Sequence, residues 1–405
     1  MFANSQKEPL SIKQLILPLY LPTFILAISQ SSMMPILPIF ANSFDAGYSW
    51  VGLVLAGQGI GTLIGDVPAG MALRKLGVRT TMHIGVFIWG ISALGLVWVH
   101  HIIYVLLLQV LGGIGFAFFG IARMLFISDK LPLKIRGQAV SLVGGVFRVG
   151  KIIGPAAAGW LAVRFDIRAG FVFFFVVTML GLLSVFLFMP QFYPSEKSHG
   201  RGSIGSVMKD NAKVYMTGGT GQFVLALLRT GPRVIIPLYG ANVLGLGVDS
   251  IGNILSLSAV LDVILFLPAG WIMDNMGRKF SAVPSIALLG LSLFLIPFTK
   301  GYNGLLIMAL IGGFGNGISS GIIMTLGADF APPVMRGEFL GIWRFIGDAG
   351  NTSSSLIIGA LADLLTLQQT IVALSSFGIL GVVLFAFGMP EPLQRPIWKR
   401  KKYQR

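Results

Sequence analysis

The chain has no cysteine among its 405 residues, which excludes disulfides and thiolate metal sites. Its four histidines include an adjacent pair, His100 and His101, but none stands at a spacing that would hold a metal. No metal and no cofactor is therefore expected. Charge is scarce as well: Asp, Glu, Lys and Arg make up 11% of the chain, against roughly a quarter in a soluble domain. Acids are the scarcest, 15 against 30 Lys and Arg. The sequence lacks a Gly-x-x-x-x-Gly-Lys-Ser/Thr loop, so ATP does not drive it directly. It also lacks Ser-x-x-Lys and His-Glu-x-x-His constellations, so an enzyme is not expected. Before the first long apolar run there is no leader pattern with a small-residue cleavage site, and that run is expected to be retained.

What the chain has in abundance is apolar surface: 55% hydrophobic residues and a mean hydropathy of +0.83. Runs of about 20 apolar residues, long enough to cross a hydrocarbon core of about 30 Å, recur along the sequence. Twelve spans are expected, at 15–39, 50–73, 80–99, 102–127, 138–163, 170–189, 215–240, 250–273, 280–298, 303–327, 338–363 and 368–389. Backbone inside lipid must satisfy its own hydrogen bonds, and the alternating ten-residue segments of a barrel are missing. The fold class is thus an all-α membrane protein of twelve transmembrane helices.

A net charge of +15 points to nucleic acid in a soluble protein. Here its placement explains it better. One set of connections, comprising the N-terminus, the loops after spans 2, 4, 8 and 10, the central linker and the C-terminal tail, holds 21 of the 30 basic residues. The opposite loops hold Arg164, Arg168 and Lys300. By the positive-inside rule both termini are cytoplasmic, and an even number of crossings agrees. No nucleic acid partner is expected. The tail at Trp398, Lys399, Arg400, Lys401 and Lys402 reads as a topology anchor near anionic lipid.

An internal repeat with an offset of 200 runs through the chain. Pro68-Ala69-Gly70 and Gly77 recur as Pro268-Ala269-Gly270 and Gly277, Gly112-Gly113 as Gly312-Gly313, Asp129 as Asp329, and Gly159 as Gly359. Residues 1–189 and 215–390 are thus two pseudo-symmetric six-helix bundles, joined by a linker at 190–214 and followed by a basic tail at 391–405. Parallel repeats of this kind place a solute site near the midplane between the halves and alternate its access by rocking.

Three segments carry a family resemblance. Gly270, Asp274, Gly277, Arg278 and Lys279 match a loop motif Gly-x-x-x-Asp-Arg-x-Gly-Arg-Arg/Lys, with Asn275 as the one departure. Gly150, Gly154, Pro155 and Gly159 follow a Gly-x-x-x-Gly-Pro pattern in span 5, and Pro35-Ile36-Leu37-Pro38 lies late in span 1. In these features the chain resembles the major facilitator superfamily, and within it the drug:proton antiporter type of exporter. The resemblance implies a monomer in a bacterial inner membrane, exchanging protons for a small-molecule substrate. Two departures stand against the usual coupling arrangement: Arg74 occupies the acid's place in the first loop, and Gln109 the place of an Arg in span 4.

Ionisable groups at bilayer depth cost about 2.5 to 3.5 kcal/mol each, so they mark cavities and partners. The candidates are Asp66, Arg123, Arg148, Lys151, Arg229, Arg233, Asp262, Arg344 and Asp348. Counting along each helix at 1.5 Å per residue puts Asp66 and Arg344 at a cytoplasmic gate, bridged when the protein is open outward. Arg74 and Glu338 read as a charge-swapped counterpart of the contact that Asp274 makes with span 5, the alternative being a solvated surface Arg. Asp262 and Asp348 are the expected proton-coupling sites, with Arg148 as the switching partner. The alternative is an ion pair that merely holds spans 5 and 8 together. Arg148, Lys151, Arg229 and Arg233 outnumber these acids, so an anionic or zwitterionic amphiphile is the expected substrate. Met33, Met34, Phe116, Phe118 and Phe119 are candidates for an apolar part of the site. The competing readings are an uncoupled facilitator, an anion exchanger and a lipid or lysolipid transporter of the same fold.

Overall fold

The structure is a computed structural model that describes residues 12–131, 133–193, 204–332 and 335–391, the side chains at 12–13, 133–138, 141, 204, 206 and 336–338 excepted. It is 89% helix, with no strand among the described residues. The first half contains α1 (Leu21–Asn42), α2 (Tyr48–Gly95), α3 (Ile102–Lys130), α4 (Leu133–Arg164) and α5 (Ala169–Phe188). The main helices of the second half are α6 (Thr220–Asn242), α7 (Val248–Ile264), α8 (Phe266–Asn275), α9 (Arg278–Leu295) and α10 (Gly301–Ile318). They continue with α11 (Ile322–Phe330), α12 (Arg336–Leu364) and α13 (Leu367–Val383).

By length and apolarity nine described helices qualify to cross a membrane, or ten when the bent pair α7 and α8 counts as one span. Twelve segments were expected, and the difference has identifiable causes. α2 runs through two expected segments and is broken only at Gly77, whose φ of 77° is foreign to a helix. α12 carries Arg344, Asp348 and the polar run Asn351-Thr352-Ser353-Ser354-Ser355 along its middle, so it does not stand out as apolar. Large apolar side chains such as Leu267 (78% exposed), Leu364 (80%) and Phe387 (85%) line the outside. Surface of that kind belongs in lipid.

The repeat is visible in local geometry. Gly277 repeats the left-handed conformation of Gly77, at φ 125°. In both halves a side chain 114 residues beyond that glycine caps the helix that follows it. Glu391 accepts from the N–H groups of Arg278 and Lys279, both at 2.9 Å, and Gln191 accepts from Arg79 N–H at 3.0 Å. The second half adds a charged knot, in which the Arg278 guanidinium donates to Asp329 at 2.8 Å and to Asp274 at 3.1 Å. Asn42 and Asn242, related by the repeat, meet at 3.4 Å near the pseudo-axis.

Two seams join the halves, α2 against α12 and α4 against α7. Both close at the end away from the linker. There Gly52 lies against the Ser355 carbonyl and Gly359, so closely that a Cβ on it would sit 2.4 Å from that oxygen. Gly159 meets Val248 and Gly252 meets Pro155 in the same way, at 2.7 and 2.3 Å. Small residues let backbones approach where the hydrophobic effect gives helices no drive to associate. Asp363 adds a polar clasp across this end: its carboxylate accepts from Tyr48 N–H at 2.6 Å and Ser49 N–H at 2.9 Å, capping the N-terminus of α2 from the other half. At the linker end, by contrast, a Cβ added to Gly70, Gly270 or Gly341 would meet nothing within 4 Å. Among the described residues the bundle is shut at one end and open at the other.

Two outcomes follow from this packing. Replacing Asp363 by Ala removes a cap worth about 1 kcal/mol, so a cysteine placed at Ser355, under Gly52 in this otherwise cysteine-free chain, should label several-fold faster; unchanged labelling would mean that Asp363 does not hold the end shut. Gly154 packs on Ile28, Ser31 and Ser32 of α1 within one half, whereas Gly159 packs on α7 across the seam. Gly154→Leu should therefore abolish folded protein, while Gly159→Leu should leave the melting transition in place and raise Ser355→Cys labelling. Equal loss of folding in both would contradict that division.

Candidate functional site

A cavity of about 1340 Å³ runs between the halves. Its wall includes Arg123, Arg148, Lys151, Arg229 and Arg233, and no carboxylate among the described residues. Met33, Met34, Leu37, Leu55 and Phe147 give it apolar stretches. A smaller pocket of about 80 Å³ continues into the second half, where Lys151, Arg229 and Arg233 are joined by Asp262, Ser258, Ser292 and Asn316.

Asp262 is the hub. It is 3% exposed, near the C-terminal end of α7, and Arg148 Nε on α4 lies 3.2 Å from its Oδ1. Ser320 Oγ donates to the same oxygen at 3.2 Å. Arg148 also donates to the Gly144 carbonyl at 3.1 Å, and its guanidinium stands 4.8 Å from the centre of the Phe266 ring. One carboxylate thus ties the two halves together from within the α4–α7 seam. A buried pair of this kind is strongly destabilised when one partner is removed, because the other charge stays behind unpaired.

The helices around Asp262 are broken where the first half keeps them whole. α7 ends at Leu265 and α8 leaves at a bend of 40°. α10 and α11 are interrupted at Ser319-Ser320-Gly321, with Gly321 in the left-handed region at φ 83°. The break frees polar groups that an intact helix would have used: Arg229 Nη2 donates to the Ser319 carbonyl at 2.6 Å, and Ser320 reaches Asp262. Irregular backbone at membrane depth is tolerated where it lines a cavity. These two interruptions were not anticipated. The signal for one of them lies in Gly317-Ile318-Ser319-Ser320-Gly321, a polar, glycine-flanked stretch inside an apolar run.

The remaining charges are partnered unequally. Lys151 and Arg233 line both cavities and make no hydrogen bond or ion pair among the described residues. Arg229 keeps a buried Nε without a partner. Asp348, expected at a depth similar to that of Arg148 as a second proton-coupling site, bonds Arg344 at 3.4 Å, and both are substantially exposed. The reason is local: positions four apart share a helix face, so Arg344 satisfies the acid on its own helix. The expected Asp66 to Arg344 bridge is absent in this open-ended state, although Asp66 feels the charges of both Arg344 and Asp348. Arg74 is exposed, and the side chain of Glu338 lies outside the described residues, as do those at the start of span 5. Asp274 holds Arg278. In span 5, Gly150 and Gly154 press on α1 while Pro155 and Gly159 press on α7, so one motif fastens α4 to both halves.

Comparison with known proteins agrees with this architecture. The sequence description of the Major Facilitator Superfamily matches residues 19–215 and 218–404. Multidrug resistance protein 2 of Bacillus subtilis is 26% identical over 61% of this chain, and the matched region is 64% of that protein, a little under two thirds. Quinolone resistance protein NorA of Staphylococcus aureus is 22% identical over 85% of this chain and 89% of its own length. Among solved structures, a bacterial homologue of the human lysosomal transporter Spinster, inward-facing and occupied, superposes with a TM-score of 0.76 at 16% identity, covering 94% and 97% of the two chains. The D-xylose-proton symporter gives 0.75 at 16% identity, over 95% and 99%. With the family description spanning both repeats and the same two-bundle fold in these transporters, the chain belongs to the major facilitator superfamily and is a multi-pass membrane transporter.

Proposed function

We propose that this transporter exports a small zwitterionic amphiphile in exchange for protons, with Asp262 as the exchange site and the linker end facing the cytoplasm. The observation that carries the reading is the Arg148–Asp262 pair, whose arginine lines the large cavity among other cationic side chains and whose acid lines the smaller pocket beside it. Lys151 and Arg233, which make no hydrogen bond or ion pair among the described residues, are placed to take an anionic group. Arg229 adds to the same field. The apolar stretch of Met33, Met34, Leu37 and Phe147 suits a hydrocarbon or aromatic body.

The sign of the coupling follows from what can take the place of Arg148 on Asp262. A proton can, and so can a cationic group of the solute. A zwitterion therefore competes with the proton for the carboxylate while its anionic end rests on Lys151 and Arg233, and competition for one site produces exchange. A purely anionic solute does not compete. Protonating Asp262 adds one positive charge to the wall, so such a solute binds better and moves with the proton. The names of the multidrug and quinolone resistance relatives favour export, and export against a proton gradient favours the zwitterion.

The rocking motion exchanges contacts at the two ends. In the open-ended state Arg344 is held by Asp348. When the linker end closes, we expect Arg344 to turn to Asp66, as the outer seam at Gly52 and Gly159 separates.

Two measurements test this. In proteoliposomes, uptake into inside-out-oriented protein should be driven by an acid interior for zwitterionic amphiphiles, and Asp262→Asn should abolish that drive while leaving downhill movement. Retained drive in Asp262→Asn would remove the exchange site from Asp262, and no response to any pH gradient in wild type would favour the uncoupled facilitator. Separately, Lys151→Gln and Arg233→Gln should each raise KM about ten-fold, the worth of a hydrogen bond to a charged group, with smaller effects on kcat. Unchanged KM in both would take the anionic group away from these residues.

A further inference from the structure

One half-buried cation has no part in the mechanism above. Arg123, on α3, is held between two aromatic rings, its guanidinium carbon 5.1 Å from the centre of Phe119 and 5.0 Å from that of Phe147. Its Nε and Nη1 are buried and have no hydrogen-bond partner, and no carboxylate pairs with it among the described residues. Arg148 is bonded to Asp262 and Gly144, and Arg229 to Ser319; Arg123 has only the two rings. Taking a guanidinium from water without returning its hydrogen bonds is costly. The rings offset part of that cost and also fix the plane of the group, leaving its edge to donate.

Arg123 lines the large cavity next to Met124, Val140 and Val143. Its position is seven residues above the end of α3 at Lys130, roughly 10 Å from that end. One face of α4, at Val140, Val143, Gly144, Phe147, Arg148 and Lys151, runs continuously along the same cavity. Phe147 clamps Arg123, and its neighbour Arg148 holds Asp262. A path therefore leads from a lone, aromatic-clamped cation near the open end to the partner-free Lys151 at the centre.

We propose that Arg123 is a separate binding station for a carboxylate or phosphate carried on an apolar body, occupied on the way from the open end to the central cluster. This rests on the central cluster being the transport site, but it concerns different residues. The occupant's anionic group takes the guanidinium edge in two parallel hydrogen bonds. Its apolar part lies on Met124, Val140 and Val143. The same chemistry is offered by a free organic anion and by the headgroup of an anionic lipid.

The test is calorimetric titration of the protein in nanodiscs of zwitterionic lipid with 1-naphthyl phosphate. Wild type should bind two equivalents and Arg123→Gln one. Arg123→Lys, which keeps the charge but not the two-pronged edge, and Phe147→Leu, which opens the clamp, should each weaken one class about ten-fold. An unchanged second class in these variants shows that the protein is folded. Lys151→Gln combined with Arg233→Gln should remove the other class; if it does not while Arg123→Gln still removes one, the central reading fails and the Arg123 station stands. Loss of the Arg123 class on adding anionic lipid to the discs supports the station and assigns its occupant to lipid headgroups. Equal stoichiometry and affinity in wild type and Arg123→Gln would overturn the proposal.

Discussion

A guanidinium and a carboxylate withdrawn from water into the seam between two helical bundles can stay charged only while each has the other or a substitute. That constraint governs the middle of this protein. Arg148 stands on one half and Asp262 on the other, so any movement that separates the halves at this level must supply a replacement for each. In the proposed exchange a proton or a solute cation replaces Arg148, and a solute anion replaces Asp262. The cost of an unpaired buried charge, several kcal/mol, is large enough to forbid the motion with an empty, unprotonated site. On the proposed reading coupling follows from this prohibition, with Arg148 left to the Gly144 carbonyl and the Phe266 ring when a proton alone sits on Asp262.

The two halves share an ancestry in sequence and have diverged where the chemistry lies. Asp262 stands opposite Thr62 in the repeat, Arg233 opposite Met33, and Lys151 opposite Asn351. Thr62 bonds back to its own helix at Gln58, and Asn351 bonds Thr230, so the neutral members of each pair are satisfied locally. The interrupted helices at Leu265 and Ser319–Gly321 occur only in the half that holds the acid. The charged knot of Asp274, Arg278 and Asp329 lies in that half too. The first half supplies the matching charges on the intact α4.

Much of the fold was legible because a bilayer imposes length and apolarity on every crossing, and because an offset of 200 aligns residues that share a role. The height of Arg148 could be counted along the intact α4, whereas the count to Asp262 passed over the bend at Leu265. Asp348 was misplaced by the same count, which gave its height but not its face; its own helix offered Arg344 four residues away. The Asp363 clasp was hidden because the residues it caps, Tyr48 and Ser49, lie 315 and 314 positions away. The break at Leu265 leaves no mark in composition, whereas that at Ser319–Gly321 was readable and was read as part of an apolar span. Arg123 was visible as a membrane charge, but its two-ring clamp depends on how α3 and α4 turn toward each other.

The claim at the centre is that a zwitterion and a proton compete for Asp262. Protons released into weakly buffered solution when a zwitterionic substrate binds measure that competition directly, over a range of pH that spans both protonation states. Release approaching one proton per substrate at the acid end of the range, falling to none at the alkaline end and absent throughout in Asp262→Asn, is the expected result. Release of the same size in wild type and Asp262→Asn, or proton uptake on binding, would contradict it.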